Sequence, residues 1–197
     1  MPFISRILQH KSLAVVGLEK NCGKTECLNY ILGRIPSDQY KVCITSIGID
    51  GESIDQVTRT KKPEIHLKEG SYFSTSEGHY RLRNLTAEIV GISNETTALG
   101  RIISARVVSP GNVILSGPSS TSSLRRWMRE TEDFGIDLTI IDGALSRMSS
   151  ASPAVSSSLI LATGAALSSN ISTLVSKTAF TVEMIHLPMY EGTISDT

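Results

Sequence analysis

The chain lacks the sequence features that identify several large classes of protein. It has three cysteines and no CxxC pair, so neither a disulfide framework nor a zinc site is supported. No apolar run approaches the length of a membrane span. The N-terminal segment has one arginine and a short apolar stretch, without a cleavage-like site. These absences predict a cytoplasmic protein with no membrane partner.

The chain also carries no net charge. Lysine plus arginine number 19, as do aspartate plus glutamate, so the formal charge is zero. Without a basic excess, nothing in the overall charge indicates nucleic acid as a partner. About 40% of the 197 residues are hydrophobic, which is enough for a core and too much for disorder. This length predicts one domain over residues 1–197.

The order of apolar and polar segments predicts an α/β fold. Apolar runs predict core strands at 12–17, 40–48, 138–145, 159–164 and 181–187, and helical spacing predicts helices at 24–35, 119–135 and around 169–176. Such alternation favours a mainly parallel sheet flanked by helices, as in P-loop NTPases. Short β-like runs, one of them at 79–82, predict a β-rich insertion of hairpins over about 64–117. Within it, 86–92 is expected to pair with 101–108.

The stretch GLEKNCGKTE, residues 17–26, has the features of a phosphate-binding loop. It lies between a predicted strand and a predicted helix, with five residues between Gly17 and Gly23 where four are usual. Backbone N–H groups at a helix N-terminus stabilise phosphate charge, a lysine reaches the outer phosphates, and a Ser/Thr hydroxyl binds Mg²⁺. The alternative is a chance Gly-Lys-Thr turn. The predicted nucleotide-binding residues are Lys20, Asn21, Cys22, Gly23, Lys24, Thr25 and Glu26.

Acidic residues follow two of the predicted strands. Asp142 ends the apolar run LTIID, where nucleotide hydrolases place a carboxylate that holds Mg²⁺ through water. Asp50 and Glu52 follow the second strand, and loops at strand carboxyl ends meet at the ligand crevice. Asp50 could hold the metal, or either residue could orient the attacking water; both are ordinary turn residues in the alternative interpretation. The predicted metal ligands are Thr25, Asp50 and Asp142, and the predicted catalytic residues are Lys24, Asp50 and Glu52.

The five-residue spacing resembles the loop of dethiobiotin synthetase and of the MinD-like division of P-loop proteins. Proteins of that division often act as dimers, in which a second lysine reaches the neighbour's phosphates. In this chain Lys20 lies four residues before Lys24 rather than five, and Glu19 holds the place of the signature lysine.

Four stretches together resemble one family, the P-loop reactivase subunit of lysine 5,6-aminomutase. They are VVGLEKNCGKTECLNYIL, SIGIDGESIDQVTRTKKPEI, IIDGALSRMSSASPAV and ILATGAAL, and the similarity spans most of residues 12–167. It implies an ATPase, with ATP and Mg²⁺ as cofactors, that helps an adenosylcobalamin-dependent aminomutase of lysine degradation exchange damaged cobalamin. The implied partners are aminomutase subunits and a second reactivase subunit, in a homo- or hetero-oligomer.

Two other functions stay open at this point. A ligase or kinase of the dethiobiotin synthetase type would use ATP on a small molecule, with residues 64–117 shaping the substrate pocket. A scaffold that binds nucleotide without hydrolysing it is the third possibility. The chain has no Asn-Lys-x-Asp guanine motif, so ATP is favoured over GTP.

Overall fold

A computed structural model describes residues 2–47, 65–144 and 155–187. The strands of this part of the chain are β1 (Ser12–Gly17), β2 (Val42–Ser46), β3 (Ile65–Leu67), β4 (Tyr72–Ser76), β5 (Asn84–Thr97), β6 (Gly100–Val113), β7 (Leu138–Ala144) and β8 (Ser158–Ala162). The helices are α1 (Pro2–Ile7), α2 (Lys24–Arg34), α3 (Glu77–Arg81), α4 (Thr121–Glu132) and α5 (Ile171–Ile185). The predicted α/β class is confirmed.

The eight strands form one mixed sheet in the order β3-β6-β4-β2-β7-β1-β8, with β5 on β6. From β4 to β8, the neighbouring strands run parallel. On the other side, β6 runs antiparallel to β3, β4 and β5. The prediction of a mainly parallel sheet therefore describes only the five-strand half. The reason is that β6 returns along β5 and then lies against β4, so the sheet changes direction there.

The centre of the sheet is buried on both faces. All six residues of β1 are buried, as a parallel strand covered by helices requires. Leu28 and Ile31, spaced by three along α2, pack with Leu13 in the larger core cluster. In the smaller core cluster, Leu124 of α4 packs with strand residues such as Cys43 and Ile141. Helices therefore lie on both sides of the parallel half.

Helix α4 has the N-terminus that its serine-rich entry predicts. The Ser120 side chain accepts a hydrogen bond from the Ser123 backbone N–H at 3.1 Å, which caps the helix. Trp127 is buried, and its Nε1–H donates to Ser104 Oγ of β6 at 3.1 Å. That bond satisfies the polar edge of the buried indole and ties α4 to the antiparallel half.

The hairpin prediction is confirmed. Thr86 pairs with Ser109 and Ile92 with Ile103, so β5 and β6 run antiparallel as expected. The hairpin belongs to the main sheet, because β6 also pairs with β4 from Tyr72 to Ser76.

Two predicted strands are wrong, because both segments are helical. Residues 79–82 fall largely in α3, where the Ser76 side chain caps the helix by accepting from the His79 N–H. Residues 181–187 were predicted as a core strand, yet α5 continues through Ile185. The Asn170 side chain caps that helix by accepting from the Thr173 N–H at 3.0 Å. Among the described residues, no helix combines the length and apolarity needed to cross a bilayer.

Candidate functional site

The loop between β1 and α2 has a backbone shape that depends on its residue types. Asn21 has φ of 60° and Gly23 has φ of 87°, both in the left-handed region that Asn and Gly tolerate best. Gly23 is the N-cap of α2 and supplies no side-chain hydrogen bond. Helix α2 therefore starts without a side-chain acceptor at its N-cap, and its positive end is suited to an external anion.

The same loop folds back on the end of β1. A Cβ built on Gly17 would lie 2.6 Å from Cys22 Sγ, so a larger residue there would force the buried Cys22 side chain to move. The Leu18 N–H donates to the Ala162 carbonyl oxygen of β8 at 2.9 Å. These two contacts hold the loop close to the carboxyl ends of β1 and β8.

An ion pair joins the first residue of α2 to strand β7. Lys24 Nζ lies 2.6 Å from Asp142 Oδ1, although the residues are far apart in sequence. Their side chains are 25% and 19% exposed, so each charge has lost much of its hydration. The pairing follows from topology: β1 and β7 are parallel neighbours, and Val15 is the register partner of Asp142. Two residues predicted from separate motifs therefore meet at one place.

Asp142 is held in position from the opposite side by the end of β2. Ser46 Oγ donates to the Asp142 carbonyl oxygen at 3.1 Å, and the Ile47 N–H donates to the same oxygen at 3.2 Å. Ser46 is the register partner of Asp142 in the β2–β7 pair. The sequence analysis did not identify Ser46. The available signal was a polar residue closing the apolar strand VCITS, at the edge where the ligand crevice was expected.

The other predicted residues are placed as follows. Lys24, Thr25 and Glu26 open α2, and the remaining loop residues, Lys20 to Gly23, lie between β1 and α2. Lys20 is exposed, and its backbone N–H donates to Glu19 Oε1 at 2.9 Å. The role of its side chain stays a prediction. Asp50 and Glu52 lie outside the described residues, so their predicted metal and catalytic roles stay predictions as well.

The residue types at this place suit a magnesium-bound polyphosphate. The Thr25 hydroxyl and the Asp142 carboxylate supply hard oxygen donors, which Mg²⁺ prefers, and Mg²⁺ commonly uses one or two carboxylates together with substrate phosphates. Lys24 carries the positive charge that a phosphate site requires. Within the described ranges, no group of three or more His, Cys, Asp or Glu side chains is arranged to hold a metal by itself.

Cys27 and Cys43 do not offer a nucleophile. Burial raises the pKa of the Cys43 thiol far above its ordinary value, and burial also raises the pKa of the half-buried Cys27 thiol. Because only the thiolate is a good nucleophile, both side chains act at neutral pH as small apolar groups.

Lys24, Thr25 and Asp142 are thus brought to the carboxyl ends of two adjacent parallel strands, beside the uncapped start of α2. Comparison of the chain with models of protein families, with curated proteins and with solved structures found no match.

Proposed function

We propose that the chain is a P-loop NTPase that binds and hydrolyses ATP with Mg²⁺ at the carboxyl ends of β1 and β7. The observation that carries this proposal is the ion pair of 2.6 Å between Lys24 Nζ and Asp142 Oδ1. Nucleotide hydrolases need a lysine for the phosphates and a strand-end aspartate for the metal within reach of each other. The adjacency of β1 and β7 supplies that proximity.

The chain's own residues have separable roles in this proposal. Lys24 exchanges the Asp142 carboxylate for the outer phosphates, and the backbone N–H groups at the start of α2 stabilise the remaining phosphate charge. The Thr25 hydroxyl and the Asp142 carboxylate would then hold the metal. When bound, Mg²⁺ neutralises negative charge that develops on the phosphate oxygens during hydrolysis.

The ion pair also predicts how strongly binding depends on the metal. When the phosphates pair with Lys24, the partly buried Asp142 carboxylate loses its cation. An unpaired, partly buried charge costs free energy. They also bring a second negative group close to that carboxylate. Tight nucleotide binding therefore requires a cation that restores the charge balance at Asp142, and chelation of Mg²⁺ should weaken ATP binding.

Phosphate release measured with and without Mg²⁺ tests this role. Asp142→Asn keeps the shape but removes the charge, so we expect ATP turnover to fall by roughly 10- to 100-fold and the benefit of Mg²⁺ for ATP affinity to shrink. The matched control is Asp133→Asn at the exposed end of α4, which should leave both quantities unchanged. Turnover and metal dependence that survive in Asp142→Asn would contradict the assignment.

We further propose that ATP turnover serves to reactivate an adenosylcobalamin-dependent lysine aminomutase. The four sequence stretches that resemble the aminomutase reactivase support this proposal. The cofactor chemistry belongs to the mutase, whereas the reactivase contributes a nucleotide-driven conformational change that releases damaged cobalamin. Aminomutase subunits and a second reactivase subunit are the proposed partners.

Partner dependence tests this second step. Purified chain is incubated with Mg·ATP alone, with active aminomutase, or with aminomutase inactivated by loss of its adenosyl group. We expect inactivated aminomutase to raise turnover several-fold and to recover activity when fresh adenosylcobalamin is added. Strong turnover with a carboxylated small molecule alone would favour the ligase or kinase alternative, and nucleotide binding without turnover under any condition would favour the scaffold.

A further inference from the structure

A cluster of buried polar side chains surrounds the one buried histidine of the chain. His79 is 3% exposed, whereas the other three histidines are exposed. Its Nδ1 is hydrogen-bonded to the Oγ of buried Ser116, and its backbone N–H donates to Ser76 Oγ at 3.4 Å. Thr45 and Ser74 complete the cluster, and both are fully buried. Apolar side chains of the same shape would avoid the cost of desolvating these groups, so stability alone does not explain the cluster.

Strand pairing places this polar cluster beside the proposed nucleotide site. β2 and β4 are parallel neighbours, and the hydroxyl oxygens of Thr45 and Ser74 lie 2.5 Å apart near the carboxyl ends of these strands. Helix α3, which carries His79, begins directly after β4. On its other side β2 pairs with β7, where Ser46 is the register partner of Asp142. The polar cluster and the proposed site therefore share the carboxyl end of β2.

Two routes connect Ser116 to Ser46 at that end of β2. The first consists of hydrogen bonds: Ser74 Oγ donates to the Ser116 carbonyl oxygen at 3.4 Å and also contacts Thr45 Oγ1. Thr45 directly precedes Ser46. The second route is packing, because a Cβ built on Gly117 would overlap the Ser46 carbonyl oxygen. The backbone that follows Ser116 therefore lies directly against the backbone of Ser46, and a shift of one displaces the other.

We propose that His79 and Ser116 are positioning residues for the Asp142 carboxylate. The inference rests on the proposed ATP site, because it assigns both residues to the geometry of that site. His79 fixes Ser116, Ser116 fixes the end of β2 by the two routes, and Ser46 holds Asp142 through the Asp142 carbonyl oxygen. Buried hydrogen bonds are costly to leave unmade, so a satisfied polar cluster favours a single arrangement of the groups that it joins. His79 and Ser116 act through Asp142 and contact neither phosphate nor metal.

ATP turnover by the full chain, measured as a function of Mg²⁺ concentration, tests this role. His79→Leu removes the ring nitrogens but keeps an apolar side chain that fills much of the space. We expect kcat to fall roughly tenfold, and the Mg²⁺ concentration for half-maximal turnover to rise by a similar factor, as for other partners that orient a metal ligand. His79→Asn places an amide atom near the position of Nδ1 and should recover most of both losses. Wild-type values of both quantities in His79→Leu would overturn the proposal.

His66→Leu is the matched control. The His66 ring is exposed, and its Nδ1 lies 3.0 Å from Asn112 Oδ1, so the substitution removes the same kind of side-chain contact. His66 belongs to β3, which is three positions from β2 in the order of the sheet. We expect kcat and the Mg²⁺ requirement of this variant to equal those of wild type. A loss as large as that of His79→Leu would show that the effect does not pass through β2.

The Asp142→Asn background separates positioning from a merely structural role. Because His79 acts through Asp142, His79→Leu should change kcat by less than about twofold once Asp142 is already replaced. Equal losses in both backgrounds would contradict the proposal. Thr45→Val interrupts the hydrogen-bond route with little change of shape and should show the same dependence on background, which provides a second test if His79→Leu does not fold.

The same measurements distinguish failure of this inference from failure of the proposed function. Reduced turnover in Asp142→Asn together with wild-type turnover in folded His79→Leu and Thr45→Val would reject the positioning role alone. Unchanged turnover in Asp142→Asn would reject the proposed ATP site, and the positioning role with it. Circular dichroism of each variant gives the folded fraction to which kcat is referred.

Discussion

The centre of the sheet and its β8–α5 end are made of similarly apolar residues, but they are packed very differently. Every residue of β1 is buried, whereas every residue of the neighbouring strand β8 is only partly buried. Helix α2 buries Leu28 and Ile31, while the more apolar α5 buries none of its residues against the described chain. Composition alone therefore does not locate the core, because burial depends on which strands are covered on both faces.

The difference separates a closely packed region from an open one within one fold. At the centre, close packing fixes the ends of β1, β2 and β7, and this brings Lys24 to Asp142 and Ser46 behind it. At the β8–α5 end, apolar side chains of α5 remain exposed in the described part of the chain. The first region is expected to tolerate little change, and the second is expected to tolerate more.

The largest expected contrast comes from removing an apolar side chain in each region. Leu28→Ala leaves a cavity beneath the fully buried α2 face and should lower the free energy of unfolding by about 2–5 kcal/mol. Val175→Ala removes an exposed side chain of α5 and should change the free energy of unfolding by less than about 0.5 kcal/mol. Urea denaturation measures both values. Similar losses in the two variants would show that the β8–α5 end is packed as tightly as the centre.

Two glycines near the centre of the sheet, Gly117 and Gly33, test how closely the chain is packed there. A Cβ built on Gly117 would lie 1.8 Å from the Ser46 carbonyl oxygen and 2.5 Å from Thr45 Oγ1. Gly117→Ala should therefore push the end of β2 away and destabilise the fold by about 1–3 kcal/mol. It should also weaken Mg·ATP binding, since Ser46 holds Asp142.

Gly33 is the control for that substitution. Apart from its chain neighbours and the backbone of its own helix, no atom lies within 4 Å of a Cβ built there, and the residue is inside α2. Gly33→Ala should stabilise the chain by about 0.5–1 kcal/mol, because alanine is the better helix former. Thermal unfolding of both variants gives the comparison, and a destabilised Gly33→Ala protein would speak against the packing of α2 described above.

The pH dependence of stability should report on the buried centre. Burial raises the pKa of Cys43 in the folded chain, while the unfolded thiol titrates near its ordinary value of 9.0. Above that pH the unfolded state releases a proton that the folded state retains, so stability falls as pH rises, by up to about 1.4 kcal/mol per pH unit. Denaturant unfolding between pH 8 and pH 10 measures the slope. Cys43→Ala should have a shallower slope than wild type, and an unchanged slope would assign the effect to other groups.

Much of the parallel half of the sheet could be predicted from the sequence. The run SLAVVG, the helical spacing after Lys24, and the run LTIID each have one dominant period, and their neighbours in sequence confirm the element type. The meeting of Lys24 and Asp142 followed from the rule that strand carboxyl ends share one edge of a parallel sheet. These inferences depend on local pattern and general topology, which a single sequence contains.

The errors arose where local pattern is ambiguous or pairing is distant. Thr181, Val182 and Ile185 are β-branched and favoured a strand, but the helix that begins after Asn170 continues through them. Residues 79–82 are too short to show a period, and the decisive feature was the Ser76 cap. The antiparallel contact of β6 with β4 depends on tertiary packing, which no local pattern reveals. Ser46 was missed for the same reason, since its contact with Asp142 spans two strands.

The most direct test is the affinity for Mg·ATP, measured by isothermal titration calorimetry on the full chain and on Lys24→Ala. The control is Lys11→Ala. Lys11 is an exposed lysine just before the amino end of β1, at the other end of the strand from Lys24. A nucleotide site at the Lys24–Asp142 pair predicts that Lys24→Ala weakens binding by about 10- to 100-fold, or roughly 1.4–2.7 kcal/mol, while Lys11→Ala binds like wild type. Equal affinity in Lys24→Ala and wild type would contradict the site.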